Sequence, residues 1–173
     1  MVSGEEVINI NKLLATNGIQ VWLTGGWGID ALLGDQTRSH KDLDVFIQRD
    51  DISRMCEILG KEGYSLKELW SENLWVLDAK GIKIATAFVL QDPLGRELDV
   101  HAMHMDEYGN GIPEWEKAEG FILTEPDLSG VGVIAGFSVQ CITAEKQTLC
   151  HTGYELPDYQ LRDLKLLHEK FGV

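Results

Sequence analysis

Apolar residues recur along the chain with two periods, and the switches between them outline the elements. Val7, Ile8, Ile10, Leu13 and Leu14 share one face of a 3.6-residue repeat. Ser3, followed three residues later by Glu6, supplies a capping box, so a helix is predicted from there to Asn17–Gly18. Ile19 to Leu23 reads as a short buried strand. Gly25–Gly26 reads as a turn, and Trp27 to Leu33 as a short helix closed by Gly34. Leu43 to Gln48 is a second strand, and Asp50 or Asp51 is placed to cap a helix ending at Gly63.

From there the period shortens to two. Tyr64–Trp70, Leu74–Asp78 and Ile82–Leu90 are predicted strands, with Ala79-Lys80-Gly81 as a tight turn between the last two. Gln91 to Gly95 is a loop that returns into Glu97–His104. Asp106–Lys117 reads as an exposed loop. Phe121–Leu123, Val131–Ala135 and Phe137–Ile142 add small strands, the last two hinged at Gly136. Thr143 caps a helix to His151, Gly153 ends it, and Pro157-Asp158 opens a last helix to Phe171. Its buried stripe is predicted as Leu161, Leu164 and Leu167 or His168. The sum is an α+β chain with one mixed β-sheet flanked by helices.

The 173 residues suit a single domain, and 44% hydrophobic content supports a sizeable core. No stretch approaches the roughly 18 uninterrupted apolar residues of a membrane span. The start, MVSGEEVINI, lacks a basic segment and an apolar block, so a cytoplasmic protein is expected. Cys56, Cys141 and Cys150 form no CxxC pair and are read as small buried hydrophobes. A net charge of −13 disfavours nucleic acid as a partner and would draw a cationic small molecule into an acidic cleft.

Two stretches carry chemistry. In "RSHKDLDVFI", strand alternation puts Asp42, Asp44 and Phe46 on one side and Leu43, Val45 and Ile47 on the other. The two carboxylates then lie about 6–7 Å apart along the strand. Alone they could be solvated acids at a strand edge; a hard divalent cation is the other way to hold them together. "RELDVHAM" repeats the arrangement, with Glu97, Asp99 and His101 sharing a face. Were the two strands neighbours, Asp99 would join Asp42 and Asp44 in a three-carboxylate cluster, a donor set for two Mg²⁺ ions in phosphoryl or nucleotidyl transfer. His104 falls on the opposite face from His101, so H-x-x-H is not a zinc motif here.

A strand ending in Gly25-Gly26, a short helix, Asp-x-Asp on the next strand and a lone Asp on a later one resembles the DNA-polymerase-beta type nucleotidyltransferase superfamily. The strings "WLTGGWGIDALLGDQTRSHKDLDVFI", "ELDVHAM" and "CITAEKQTLCHTGYELPDYQLRDLKLL" are similar to the antibiotic nucleotidyltransferases. The similarity is greatest to the lincosamide enzymes and next to the aminoglycoside 2″-adenylyltransferases, from about Trp22 to Leu167. It implies one domain over 1–173 with the polymerase-beta-type fold. Residues 1–105 would be the catalytic core and 106–173 a small C-terminal extension for substrate and packing.

The resemblance further implies that Asp42, Asp44 and Asp99 hold two Mg²⁺ ions, with Asp99 also taking the acceptor's proton. Thr24, Gly25 and Gly26 would grip the phosphates of ATP or another NTP. Arg38 and His40 would steady phosphates, Arg38 alternatively making a surface ion pair. His101, Glu107 and Tyr154 are candidate contacts for the antibiotic, and a homodimer is a further implication. Trp27 is read as packing the short helix, and Lys165 as a solvated lysine. Glu68, Glu72, Glu114 and Glu116 are candidates, with Glu107, for an acidic drug-binding rim.

Two other readings compete. Gly26-x-Gly28-x-x-Ala31 fits a dinucleotide fingerprint with Asp44 downstream, but the helix stops at Gly34 and the acids precede the apolar run. A minimal nucleotidyltransferase acting as an antitoxin would need the glycine pair and Asp-x-Asp without a drug-binding region.

Overall fold

A computed structural model describes residues 1–153 and 155–173; Tyr154, one of the candidate drug contacts, lies outside the described residues. The first helix, α1 (Gly4–Thr16), carries the expected capping box: the Ser3 hydroxyl accepts from the Glu6 amide, and Glu6 accepts from the Ser3 amide. β1 (Val21–Thr24) runs into α2 (Gly25–Leu33), so the glycine pair is the first turn of the helix rather than a separate turn. Gly34 ends α2 in the left-handed conformation.

β2 (Asp42–Gln48) leads through a 3-10 turn at Arg49–Asp51 into α3 (Ile52–Lys61). Neither acid caps α3. Asp51 makes no side-chain cap bond, and Asp50 instead accepts from the Ala79 amide across the surface. β3 (Ser65–Leu69), β4 (Trp75–Leu77) and β5 (Lys83–Ala85) follow. The run predicted as one strand over 82–90 is broken at Thr86, and β6 (Ala87–Gln91) starts afresh. The break has a local cause: Asn73 Oδ1 takes the amides of Thr86 and Ala87, and Thr86 bonds both ways with Leu74.

β7 (Glu97–Met105) pairs along its end with β8 (Gly111–Pro113), a strand inside the segment read as a loop. The predicted strand at 121–123 is reduced to a single bridge between Gly111 and Leu123. β9 (Gly130–Ile134) and β10 (Phe137–Cys141) form the expected hairpin. Thr143 caps α4 (Ala144–Cys150) by accepting from the Lys146 amide. On α5 (Asp158–Phe171) the buried residues are Asp163 and Leu167, while Leu161 is exposed. Leu167 and the partly buried Leu164 keep the expected stripe, and only Leu161 departs from it, while Asp163 beside them turns inward to an arginine described below.

The strands make one sheet in the order β3-β6-β7-β2-β1-β10-β9, with β8 attached to β7 and the β4–β5 hairpin apart from it. Leu43, Val45 and Ile47 of β2 and Leu98, Val100 and Ala102 of β7 are all 1% exposed or less. They enter a main core with residues from α1, α2 and α3. The opposite face carries a smaller core around Trp22, Phe46, Met103 and Leu128. No helix among the described residues is long and apolar enough to cross a membrane.

Candidate active site

β2 and β7 are adjacent and parallel, in a register that sets Asp42 opposite Glu97, Asp44 opposite Asp99 and Phe46 opposite His101. Residues opposite one another share a face, so Asp42, Asp44 and Asp99 are aligned on the side away from the main core. Burial first, then the Asp42 and Asp99 charges, push the Asp44 carboxyl well above the ordinary carboxylate range, with Arg38 opposing. Asp42 is pushed up by burial, with Lys41 opposing and Asp99 and Glu97 adding to it.

Among the described residues no other side chain hydrogen-bonds to Asp42 or Asp44, and no three acidic, His or Cys side chains converge into a preformed cation site. Three aligned carboxylates that repel one another, two of them with open oxygens, are a donor set suited to a hard divalent cation. Their chemistry therefore fits the expected Mg²⁺.

The glycine pair abuts this row. Gly25 has φ +58°, and a Cβ built on it would lie 2.3 Å from Asp44 Oδ2. At Gly26 a Cβ would meet His40 Nδ1 at 2.2 Å and Arg38 Nη2 at 2.8 Å. Only residues without side chains let the start of α2 come this close to the acids and to Arg38. Thr24 precedes the helix, and its hydroxyl donates to Gln147 Oε1 at 3.4 Å.

Arg38 and His40 are held by partners that lie outside any sequence motif. Arg38 donates from Nε at 3.0 Å and from Nη2 at 2.8 Å to Asp163 Oδ2, and Asp163 is 2% exposed. The Tyr159 ring lies over the guanidinium at 4.7 Å. This is a buried-carboxylate clamp, not the plain surface pair. His40 is buried, with Nε2 at 2.5 Å from Asp30 Oδ2, while Asp30 Oδ1 accepts from the amide and hydroxyl of Thr37. Trp27 packs on the His40 ring at 4.7 Å between centroids and is 1% exposed, in the packing role read from the sequence.

Two cavities meet at this point. One, about 580 Å³, is walled by Gly26, Arg38, His40, Asp42 and Tyr159. The other, about 530 Å³, is walled by Phe46, His101, Trp115, Lys117 and Phe121. Gly25, Asp44, His151 and Gln160 border both. Trp115 stacks on Phe46 (5.8 Å, 13°) and meets His101 edge-on (5.0 Å, 79°).

Asp99 borders neither cavity. Its Oδ1 accepts from the Trp70 indole N–H at 2.8 Å and lies 3.4 Å from His101 Nδ1. Glu107 is exposed on the turn between β7 and β8 and is in the wall of neither cavity. Of the proposed acidic rim, Glu72 lies 3.5 Å from His101 Nε2, and Glu114 is taken up by Arg49 and His104. Lys165 is exposed beside Glu169.

Sequence reasoning missed Trp70, Asp163, Asp30 and Trp115. An Asp on a helix predicted to pack its apolar stripe was the one available signal for Asp163; the other three carry none.

A family model described as aminoglycoside-2″-adenylyltransferase matches residues 6–167. A lincosamide resistance protein of Staphylococcus haemolyticus is 25% identical over 166 residues, covering 96% of this chain and 94% of that protein. A 2″-aminoglycoside nucleotidyltransferase of Escherichia coli is 37% identical over 70 residues, 37% of this chain and 38% of that protein. Among solved structures, the lincomycin-bound lincosamide antibiotic adenylyltransferase LnuA aligns with a TM-score of 0.77 at 25% identity, over 96% of each chain. ANT(2″)-Ia in complex with adenylyl-2″-tobramycin shares the fold, with a TM-score of 0.68 at 21% identity over 98% of this chain and 89% of that one.

Proposed function

Because the chain belongs to the aminoglycoside-2″-adenylyltransferase family and is a nucleotidyltransferase, we propose that it transfers AMP from ATP to a hydroxyl of a lincosamide antibiotic, inactivating the drug. The observation that carries this reading is the junction of two cavities at Gly25 and Asp44. The first suits a nucleotide. It brings together the N-terminus of a nine-residue helix, an arginine and a row of carboxylates. Thr24, Gly25, Gly26 and Arg38 bind the phosphates, and His40 forms the support behind Gly26.

Asp42, Asp44 and Asp99 are the residues to hold two Mg²⁺ ions, which when bound neutralise the triphosphate and ease ionisation of the attacking hydroxyl. The acceptor oxygen forms a bond to the α-phosphorus, and the bond from that phosphorus to the pyrophosphate oxygen breaks. The hydroxyl proton passes to a base at the junction of the two cavities, while Asp99, in the wall of neither, has Oδ1 occupied by Trp70 and keeps Oδ2 for a metal ion.

The second cavity suits the acceptor. Among the described residues its wall has the rings of Phe46, Trp115 and Phe121, one lysine and, apart from Asp44, no carboxylate. A lincosamide, an amphiphilic sugar amide with at most one amine, fits such a wall through stacking and apolar contact. An aminoglycoside carries several ammonium groups and calls for a carboxylate lining. Likeness along nearly the whole chain to a lincosamide resistance protein supports the same choice, and aminoglycosides are the second reading. The test is incubation with ATP, Mg²⁺ and a panel of lincosamides and aminoglycosides, read as pyrophosphate release and a mass gain of one AMP on a drug. Transfer to lincomycin or clindamycin is expected. Transfer to an aminoglycoside alone would move the assignment to the second reading, and no transfer to any member would sink both.

A further inference from the structure

His151 closes α4 as its C-cap and is 8% exposed, yet neither the resemblance nor the mechanism above assigns it a task. Its Nδ1 lies 2.7 Å from the carbonyl oxygen of Gln147, one turn back. A carbonyl oxygen can only accept, so Nδ1 carries the hydrogen and donates it. In the neutral ring that leaves Nε2 as a bare lone pair, its tautomer set by the helix end. Among the described residues none hydrogen-bonds to Nε2, and His151 is in the wall of both cavities, as is Asp44.

A lone pair at that position is selective. Phosphate oxygens have no hydrogen to offer at neutral pH, so a nucleotide's phosphates are repelled rather than bound there. What can bind is an O–H. On the reading that the first cavity takes the nucleotide and the second the acceptor, the O–H at the junction is the one about to attack. We propose that His151 Nε2 accepts the hydrogen bond of the acceptor hydroxyl and turns the oxygen's free lone pair toward the α-phosphorus. The hydroxyl's single hydrogen is the one held by Nε2, so the proton passes to His151 as the new O–P bond forms and the bond to pyrophosphate breaks. His151 thereby fixes which hydroxyl of the drug reacts, since only an oxygen within reach of Nε2 is aligned.

This inference rests on the reading of the two cavities, and the experiment separates the two. His151→Asn keeps an amide N–H where Nδ1 donates to Gln147 but has nothing at Nε2; His151→Gln places a polar amide at the Nε2 position. Thermal unfolding reports whether each variant folds. In the wild-type protein with ATP, Mg²⁺ and lincomycin, turnover tests the functional reading by itself. Relative to that, His151→Asn should lower kcat/KM for lincomycin roughly 10–100-fold with the KM for ATP unchanged, since misplacing a reacting group by an ångström costs about that much. His151→Gln should recover part of the loss through its carbonyl oxygen.

A rise in the KM for ATP with lincomycin kinetics unchanged would assign the ring to the nucleotide and overturn the proposal. So would wild-type rates in both variants. A readout independent of turnover is the ¹⁵N spectrum of the histidine rings in the whole protein. The His151 Nε2 resonance should sit at the bare-nitrogen position and move on adding lincomycin. A doubly protonated ring, a shift caused by α,β-methylene ATP alone, or no shift with lincomycin would each overturn it.

Discussion

Replacing Gly25 by alanine tests the site at its tightest contact. The residue has φ +58°, and its added Cβ would lie 2.3 Å from Asp44 Oδ2, 2.8 Å from Cγ and 3.2 Å from Cβ. Left-handed backbone costs a residue with a Cβ about 1–2 kcal/mol. The contact itself cannot be relieved by the backbone of Asp44, which is paired to Thr24 on one side and to Asp99 on the other. The side chain must therefore rotate off its rotamer, at a further ~0.5–1.5 kcal/mol. Together these lower Tm by roughly 3–14 °C for a chain of this size.

Activity should fall much further than stability, because the displaced group is the carboxylate at the junction of the two cavities. A loss of about 100-fold or more in kcat is expected for an ångström of misplacement. Gly34→Ala is the matched control: φ there is +82°, but nothing lies within 4 Å of the added Cβ. It should show the backbone cost alone, with normal transfer of AMP. The assay is adenylylation of lincomycin well below both Tm values, alongside calorimetry. If Gly25→Ala keeps kcat within about threefold of wild type, or if Gly34→Ala is equally impaired, the contact between Gly25 and Asp44 does not have the role derived from it.

Asp44→Asn should cut kcat on the order of 10³-fold or more while preserving the fold. Because the Asp44 pKa is raised in the folded chain, its charge weakens the fold increasingly as pH climbs above the unfolded carboxylate value near 4. The variant should therefore gain Tm over wild type in metal-free buffer at pH 7.5, and gain less near pH 4.5. Trp115→Ala should raise the KM for lincomycin by about 10-fold or more through loss of the aromatic wall, leaving the KM for ATP unchanged. A change confined to ATP would refute the division of the two cavities. Arg96 bonds Glu6 of α1 and the buried Asp92. Burial opposes ionisation of both acids, but Ser3 and Arg96 pull Glu6 down, and Arg96 and backbone amides pull Asp92 down. The stability they add is present above about pH 4 and lost as pH falls through their folded pKa values. Arg96→Met should thus cost about 2–3 kcal/mol at pH 7, with the gap to wild type closing on acidification in thermal melts.

Much of the fold can be read without coordinates because it depends on neighbours a few residues apart. The Ser3–Glu6 box starts α1, Gly34 stops α2, Thr143 starts α4, and alternation in β2 and β7 puts each carboxylate on the polar side. Where a distant partner intervenes, the same rules misplace things. Asn73 and Leu74 split the expected strand at Thr86, and Asp50 turns to Ala79 instead of capping α3. Leu161 is left exposed while Asp163 is buried against Arg38.

The site divides in the same way. That Asp42 and Asp44 share a face with each other, and Asp99 with His101, follows from the two-residue period of a strand and needs no partner. The parallel register that sets Asp44 beside Asp99 is a pairing across 55 positions of chain, and His151 and Trp115 come to the same place from farther along it. Those were decided only by the tertiary structure. Strand pairing, cavity walls and buried ion pairs gain their energy from groups far apart in the chain. The hydrophobic period of a segment records which way each side chain faces, but not what it will meet.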